Sequence, residues 1–147
     1  MTTLRGSCHC GNVEVEFETA VASTDLPVRA CQCSFCRRHA AKTTSDPNGR
    51  LIIRADPDSI ERYRFGFRVT DFILCRRCGV YIAAVSREGA NERASLNVVG
   101  TGLSELAQRD AAPVSLDHET AESRRERRRQ VWTPVEIAVR TAARQSA

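Results

Sequence analysis

The residues best suited to chemistry are the seven cysteines, which fall into three tight groups. Within each group one or two residues separate neighbouring cysteines, a spacing that lets two sulfurs bind one metal ion. A structural zinc site takes four protein ligands, whereas a working site takes three and keeps its fourth position open. Seven cysteines therefore indicate one closed and one open zinc site. The groups are Cys8 and Cys10; Cys31, Cys33 and Cys36; Cys75 and Cys78.

The Cys75–Cys78 pair has the form of a zinc knuckle, and the Cys8–Cys10 pair is a second donor of two closely spaced thiolates. Gly79 follows the Cys75–Cys78 pair and tolerates the positive φ that a turn beneath a metal requires. Gly11 follows the Cys8–Cys10 pair in the same way. Combining the pairs gives a closed four-sulfur site that would join two strands far apart in sequence and so stabilise the fold.

The third group offers three sulfurs and no fourth cysteine. Two interpretations stay open for it. His39, His9 or an acidic residue completes a second structural site, or the fourth position is left for water or a substrate thiol. In the second case the metal would lower the pKa of the bound thiol and generate thiolate at neutral pH.

Composition limits the class of protein. A chain of 147 residues with 5% aromatic residues predicts one domain with a small apolar core, which metal crosslinks would reinforce. We expect residues 1–147 to form this domain, with a core at about 4–102 and a charged segment at 103–147. A net charge of +4 does not indicate a nucleic-acid partner.

The location predicted from the sequence is the cytoplasm. The first residues carry no hydrophobic signal region, and no apolar run approaches the length of a membrane span. We therefore expect no membrane association. Cysteines in a reducing compartment stay available for metal ligation rather than for disulfides.

Several short segments have the pattern of β-strands. Residues 13–17 alternate apolar and charged side chains, and residues 51–53 and 80–85 are apolar runs. Residues 94–99 predict a further strand. Residues 63–74 predict two more strands around a turn at 68–71. Many short strands separated by turns predict an all-β domain.

The segment from Asp117 to Gln130 mixes glutamates with five arginines and predicts a helix supported by i,i+3 ion pairs. One interpretation is an anion-binding arm, and the other is a solvent-exposed helix or surface segment. The mixed charges favour the second interpretation. Trp132, the single tryptophan, indicates that the chain returns to the domain after this segment.

Taken together, the cysteine motifs resemble those of the glutathione-dependent formaldehyde-activating family, also called the centromere protein V-type domain. The resemblance runs from about Leu4 to Val99, and Trp132-Thr-Pro134 is similar to the family's C-terminal tryptophan segment. The motifs are Gly6-Ser-Cys8-His-Cys10-Gly11, Cys31-Gln-Cys33-Ser-Phe-Cys36-Arg37-Arg38 and Cys75-Arg-Arg-Cys78-Gly79.

The resemblance implies a fold of stacked, bent antiparallel β-sheets (a β-tent) with two zinc ions and a short helical or extended C-terminal segment. It implies a structural zinc on Cys8, Cys10, Cys75 and Cys78, and a catalytic zinc on Cys31, Cys33 and Cys36. The implied activity is that of a carbon–sulfur lyase that reversibly joins glutathione and formaldehyde. The segment 117–129 departs from the family's usual histidine-containing strand.

Two functions follow as hypotheses. The first is a zinc-dependent lyase acting on glutathione, or a similar thiol, and a small aldehyde, with Arg37, Arg38 or His39 anchoring the carboxylates of glutathione. The second is a non-catalytic zinc module that contacts a protein or nucleic acid through the arginines at 124–129.

Overall fold

The computed structural model describes residues 1–140 and shows a mostly β protein. Its helices are α1 Ser34–Arg38, α2 Ser104–Ala107 and α3 Ala121–Val131, and a 3₁₀ turn covers Pro57–Ser59. Its strands are β1 Thr2–Ser7, β2 Glu14–Thr19, β3 Arg29–Cys31, β4 Thr43–Thr44, β5 Arg50–Arg54, β6 Ile60–Tyr63, β7 Thr70–Cys75, β8 Tyr81–Glu88, β9 Asn91–Asn97, β10 Ala112–Val114 and β11 Thr133–Ala138.

Strand β9 is the branch point of the sheet. One edge of β9 pairs with β8, which continues through β7 to β6 in antiparallel order. The other edge is shared, because β11 pairs near Ala94 and β4 pairs near Leu96. From there one branch runs through β5 to β2 and β1, and the other through β3 to β10. This branched, bent sheet confirms the predicted all-β fold.

Two strand pairs are parallel rather than antiparallel. Strand β11 lies parallel to β5, and β10 lies parallel to β3. Both β10 and β11 come from the charged C-terminal segment, so the sheet extends well beyond the core expected at about 4–102. β11 is an inner strand between β5 and β9, and it carries the chain directly out of α3.

The core combines side chains from strands on both sides of β9. Its most buried side chains include Phe17 on β2, Ile53 on β5, Ile73 on β7, Ile82 on β8 and Leu96 on β9, each at most 1% exposed. The alternation of β2 gives this pattern directly, since Val15 and Phe17 are buried while their glutamate neighbours are partly exposed. Within residues 1–140, no helix is both long and apolar enough to cross a bilayer.

Gly6 allows β1 to approach the turn after β9 closely. A Cβ atom at this position would lie 2.1 Å from the carbonyl oxygen of Thr101 and 3.0 Å from a methyl carbon of Leu103. The next residue, Ser7, donates its backbone N–H to the same oxygen at 3.0 Å. The approach fixes the end of β1 immediately before the first cysteine pair.

Replacing this glycine should therefore destabilise the protein. We expect Gly6→Ala to lower the free energy of unfolding by about 1–3 kcal/mol, because backbone atoms must move to relieve the overlap. Urea unfolding followed by circular dichroism would measure the change. Arg5→Ala, an exposed position on the same strand, is the control and should stay within about 0.5 kcal/mol of the parent. Equal midpoints for the two variants would contradict the prediction.

Candidate metal centres and active site

Four cysteine sulfurs converge at the junction of two turns. Cys8 and Cys10 lie between β1 and β2, Cys75 ends β7, and Cys78 lies in the turn before β8. The four sulfurs all lie within 4.8 Å of one another. Cys10 Sγ is 3.6 Å from Cys8 Sγ and 3.6 Å from Cys75 Sγ, and all four thiols are free. This four-cysteine cluster joins parts of the chain that are far apart in sequence.

A glycine with positive φ follows each cysteine pair, as the sequence predicted for Gly79. Gly11 and Gly79 adopt φ values of +86° and +78°, and Gly79 donates its N–H to the carbonyl of Cys75 at 2.8 Å. Backbone N–H groups also point at the sulfurs, since Val13 donates to Cys8 Sγ at 3.3 Å. Such donors stabilise thiolates in the turn.

The distances between sulfurs test whether zinc fits. Zinc bound tetrahedrally with Zn–S bonds of about 2.3 Å places its sulfurs about 3.8 Å apart. The observed separations of 3.6 Å need only a small adjustment. The four-cysteine cluster could therefore hold a metal ion, and four sulfurs leave no position for a substrate.

The remaining three cysteines form a second cluster around the start of α1. Cys31 ends β3, Cys33 is the N-cap of α1, and Cys36 is buried within that helix. The Cys33 sulfur accepts a hydrogen bond from the N–H of Cys36 at 3.3 Å, so the capping geometry itself brings the two side chains together. The three sulfurs lie within 4.8 Å of one another.

No fourth side chain completes this three-cysteine cluster in the described part of the chain. Neither a histidine nitrogen nor a carboxylate oxygen of residues 1–140 joins the three sulfurs within that distance. Hydrogen bonds from the thiols of Cys31 and Cys36 hold the pKa of Cys33 far below its ordinary value. Hydrogen bonding within the cluster raises the pKa values of Cys31 and Cys36, so the thiolate is favoured at Cys33. The three sulfurs could hold a metal ion with one position left over.

The three-cysteine cluster lines a cavity of about 200 Å³. Aromatic side chains form part of its wall, among them Phe65, Phe72, Tyr81 and Trp132. Phe72 and Phe65 stack with their ring centroids 4.9 Å apart. Burial, together with the neighbouring cysteines Cys36, Cys31 and Cys33, raises the pKa of Tyr81 well above its ordinary value, so its hydroxyl stays protonated.

Four arginines line the same cavity and form what we call the arginine wall: Arg29, Arg124, Arg127 and Arg128. Arg29 lies on β3 two residues before Cys31, so the two side chains share one face of the strand. The other three lie on α3, whose N-terminus is fixed by a capping box between Thr120 and Ser123. Arg129, by contrast, forms ion pairs with Glu88 and Glu126 away from the cavity.

The sequence analysis considered an anion-binding arm for residues 117–130 but did not connect it with the cysteines or with Arg29. It favoured a solvent-exposed helix for this segment, yet Arg128 is only 7% exposed. The guanidinium carbon of Arg128 lies 4.2 Å from the ring centroid of Trp132. Arg128 lies four residues before Trp132, which was expected to pack on the domain. Residues four apart lie on the same face of a helix, and this spacing could have indicated that Arg128 faces inward.

The other arginines proposed for the site lie elsewhere. Arg37 and Arg38 are exposed in the last turn of α1, and neither lines the cavity. His39 ends the helix and packs its ring on Phe35, with centroids 4.5 Å apart, and near Tyr81 at 5.5 Å. It also does not line the cavity.

Comparison with known proteins places this fold and these clusters in a family. The sequence profile of the family described as "Glutathione-dependent formaldehyde-activating enzyme" matches residues 3–118. The chain belongs to this family.

A solved structure of similar fold comes from Rhodobacter sphaeroides and is titled simply as a protein of that organism. Its sequence is 26% identical, the match covers 92% of this chain and 99% of that one, and the TM-score is 0.51. The family match ends before α3, so most of the arginine wall lies outside it.

Proposed function

We propose that this protein is a zinc-dependent carbon–sulfur lyase that reversibly joins glutathione, or a similar thiol, to formaldehyde or another small aldehyde. The observation that carries the proposal is the difference between the two cysteine clusters. The three-cysteine cluster lines a cavity, whereas none of the residues of the four-cysteine cluster does so. A reaction needs such access, and the family supplies the class of reaction.

The proposed metal content is two zinc ions. Zinc accepts all-sulfur ligand sets, and the sulfur separations in the four-cysteine cluster match its bond length. In this assignment Cys8, Cys10, Cys75 and Cys78 hold a structural ion, and Cys31, Cys33 and Cys36 hold a catalytic one. A zinc ion in the second site would offer its fourth position to the substrate thiol and lower the pKa of that thiol.

The reaction itself is an addition. The sulfur of the thiol forms a bond to the carbonyl carbon, the carbon–oxygen π bond breaks, and the proton of the thiol ends on the oxygen. The cavity holds the two reactants beside each other, which converts a bimolecular step into a step within one complex. Its aromatic wall excludes water from the reacting atoms.

The carboxylates of glutathione need cationic partners. From the sequence, Arg37, Arg38 or His39 was expected to bind these carboxylates. Because none of these lines the cavity, they would serve only a part of glutathione that extends outside it. The arginine wall is better placed for any carboxylate that enters.

The alternative function, a zinc module that binds nucleic acid through residues 124–129, finds less support in the contacts of α3. Arg124 and Arg127 both pair with Glu119, and Arg129 pairs with Glu88 and Glu126. Paired arginines release fewer counterions from a phosphate backbone than free ones.

The lyase proposal predicts faster formation of the thiohemiacetal. We expect the purified protein to accelerate the reaction of glutathione with ¹³C-formaldehyde at least roughly tenfold over buffer, without changing the position of equilibrium. NMR exchange spectroscopy measures both quantities. Acetaldehyde and 2-mercaptoethanol serve as further substrates. Rates equal to those in buffer for every combination would overturn the proposal.

A further inference from the structure

The cavity beside the three-cysteine cluster contains more positive than negative charge, because four arginines line it together with one acidic residue of the described chain, Asp117. Arg124 and Arg127 share a single carboxylate, that of Glu119, at 3.1 and 2.7 Å. Burial opposes ionisation of Glu119, but hydrogen bonds from Arg127 and Arg124 still lower its pKa. The Glu119 carboxylate therefore forms ion pairs with two arginines and balances only one of their two charges.

Among residues 1–140, the other two arginines of the wall have no acidic side chain within ion-pair distance. In the described residues no carboxylate lies within ion-pair distance of Arg128, which donates one hydrogen bond to Thr70 Oγ1 at 2.6 Å and leaves its Nε without a partner. Arg29 likewise donates to a neutral group, Ser45 Oγ, at 2.5 Å. Burial and the neighbouring Arg127 and Arg124 lower the pKa of Arg128 below its ordinary value.

A buried arginine without a counterion is costly, because the charge has left water and gained no opposite charge in return. Stacking on Trp132 compensates in part, since the tryptophan face attracts a cation. A bound anion would compensate further. The planar guanidinium matches a carboxylate in particular, through two parallel hydrogen bonds.

The apolar remainder of the cavity restricts what the anion is attached to. The rest of the lining is mostly aromatic or aliphatic, including Phe67, Val69, Leu116 and Val131, and its polar members are Thr43, Thr70, Ser95 and Asp117. A singly charged carboxylate is less costly to transfer into such surroundings than a doubly charged phosphate. The part of the occupant that enters the cavity therefore carries one carboxylate and is otherwise mostly apolar.

We infer that the arginine wall is a carboxylate subsite, in which Arg128 and Arg29 bind one carboxylate of a substrate beside the three-cysteine cluster. The identification of the bound carboxylate as part of a substrate rests on the proposed lyase function, whereas binding of a carboxylate does not. The carboxylate has two possible sources, the thiol or the aldehyde, and the experiment separates them.

Binding can be measured without any turnover, because Trp132 is the single tryptophan and lies against Arg128. Titration with benzoate should change its fluorescence, and benzamide, a neutral molecule of similar shape, should bind at least roughly tenfold more weakly. Arg128→Gln should weaken benzoate binding at least roughly tenfold. Arg29→Gln should do the same and serves if Arg128→Gln does not fold.

Arg125→Gln is the matched control, since Arg125 is exposed on the same helix and does not line the cavity. It should bind benzoate like the parent. Equal affinity for benzoate and benzamide, or unchanged benzoate affinity in both Arg128→Gln and Arg29→Gln, would overturn the inference.

Turnover then identifies the source of the carboxylate. A KM that rises at least tenfold in Arg128→Gln for glutathione with formaldehyde assigns the carboxylate to the thiol. The same rise for 2-mercaptoethanol with 4-formylbenzoate assigns it to the aldehyde, and unchanged KM values in both reactions overturn a substrate role. If no turnover occurs in the parent, the lyase proposal fails and the benzoate titration alone decides the subsite.

Discussion

Cys78→Ser is expected to lose much of the folded protein. The four-cysteine cluster ties the turn after β1 to the turn after β7, and metal binding there contributes directly to folding. A serine hydroxyl is a poor ligand for a site that selects thiolates. We expect an unfolding midpoint lower by roughly 10 °C or more, or a protein that is largely insoluble.

Thermal unfolding and the soluble yield measure this effect, and elemental analysis gives the zinc content. Arg77→Ala is the matched control, because Arg77 is exposed in the same turn and contributes no sulfur. The control should retain the midpoint and the zinc content of the parent. A Cys78→Ser protein with the midpoint of the control would show that this cluster does not stabilise the fold.

The cysteine clusters could be predicted because their geometry is largely local. A turn of two to four residues brings Cys75 and Cys78 together, and a helix N-cap does the same for Cys33 and Cys36. Each arrangement depends on a backbone conformation that neighbouring residues predict, as Gly79 predicts a positive φ after Cys78. The cysteines that are close together in the sequence therefore also lie in the same cluster in the structure.

The position of β11 could not be predicted in the same way. Its place between β5 and β9 depends on pairing with Leu51 and Ala94, residues far away in the chain. Strand pairing over such distances leaves no periodic signal in the segment itself. The expected core at about 4–102 therefore omitted a strand that the sheet contains.

Sequence adjacency was also a poor guide to the anion-binding residues. Arg37 and Arg38 directly follow Cys36, but each residue of a helix turns the side chain by about 100°. With Cys36 buried, the next two side chains point progressively away from the cluster. Arg128 reaches the cavity from a different element, α3, and donates a hydrogen bond to Thr70 at the start of β7.

Cys33→Ser should separate chemistry from stability most clearly. Cys33 caps α1 by accepting a hydrogen bond from the N–H of Cys36, and serine is among the best residues at this position. The variant therefore keeps the local fold while it loses a sulfur ligand. We expect an unfolding midpoint within a few degrees of the parent, about one zinc ion fewer per chain, and thiohemiacetal formation at the rate in buffer.

Cys78→Ser is the comparison for this variant, because both variants replace one cysteine by serine and differ only in the cluster that loses a sulfur. Ser34→Ala, at the exposed next position in α1, controls for changes at the helix start and should keep both zinc and activity. Full zinc content and full activity in Cys33→Ser would exclude Cys33 as a ligand. The three sulfurs of this cluster come from one short segment, so their loss should affect the chemistry and leave the sheet folded. Unfolding as severe as that of Cys78→Ser would contradict this expectation and would show that the three-cysteine cluster also stabilises the fold.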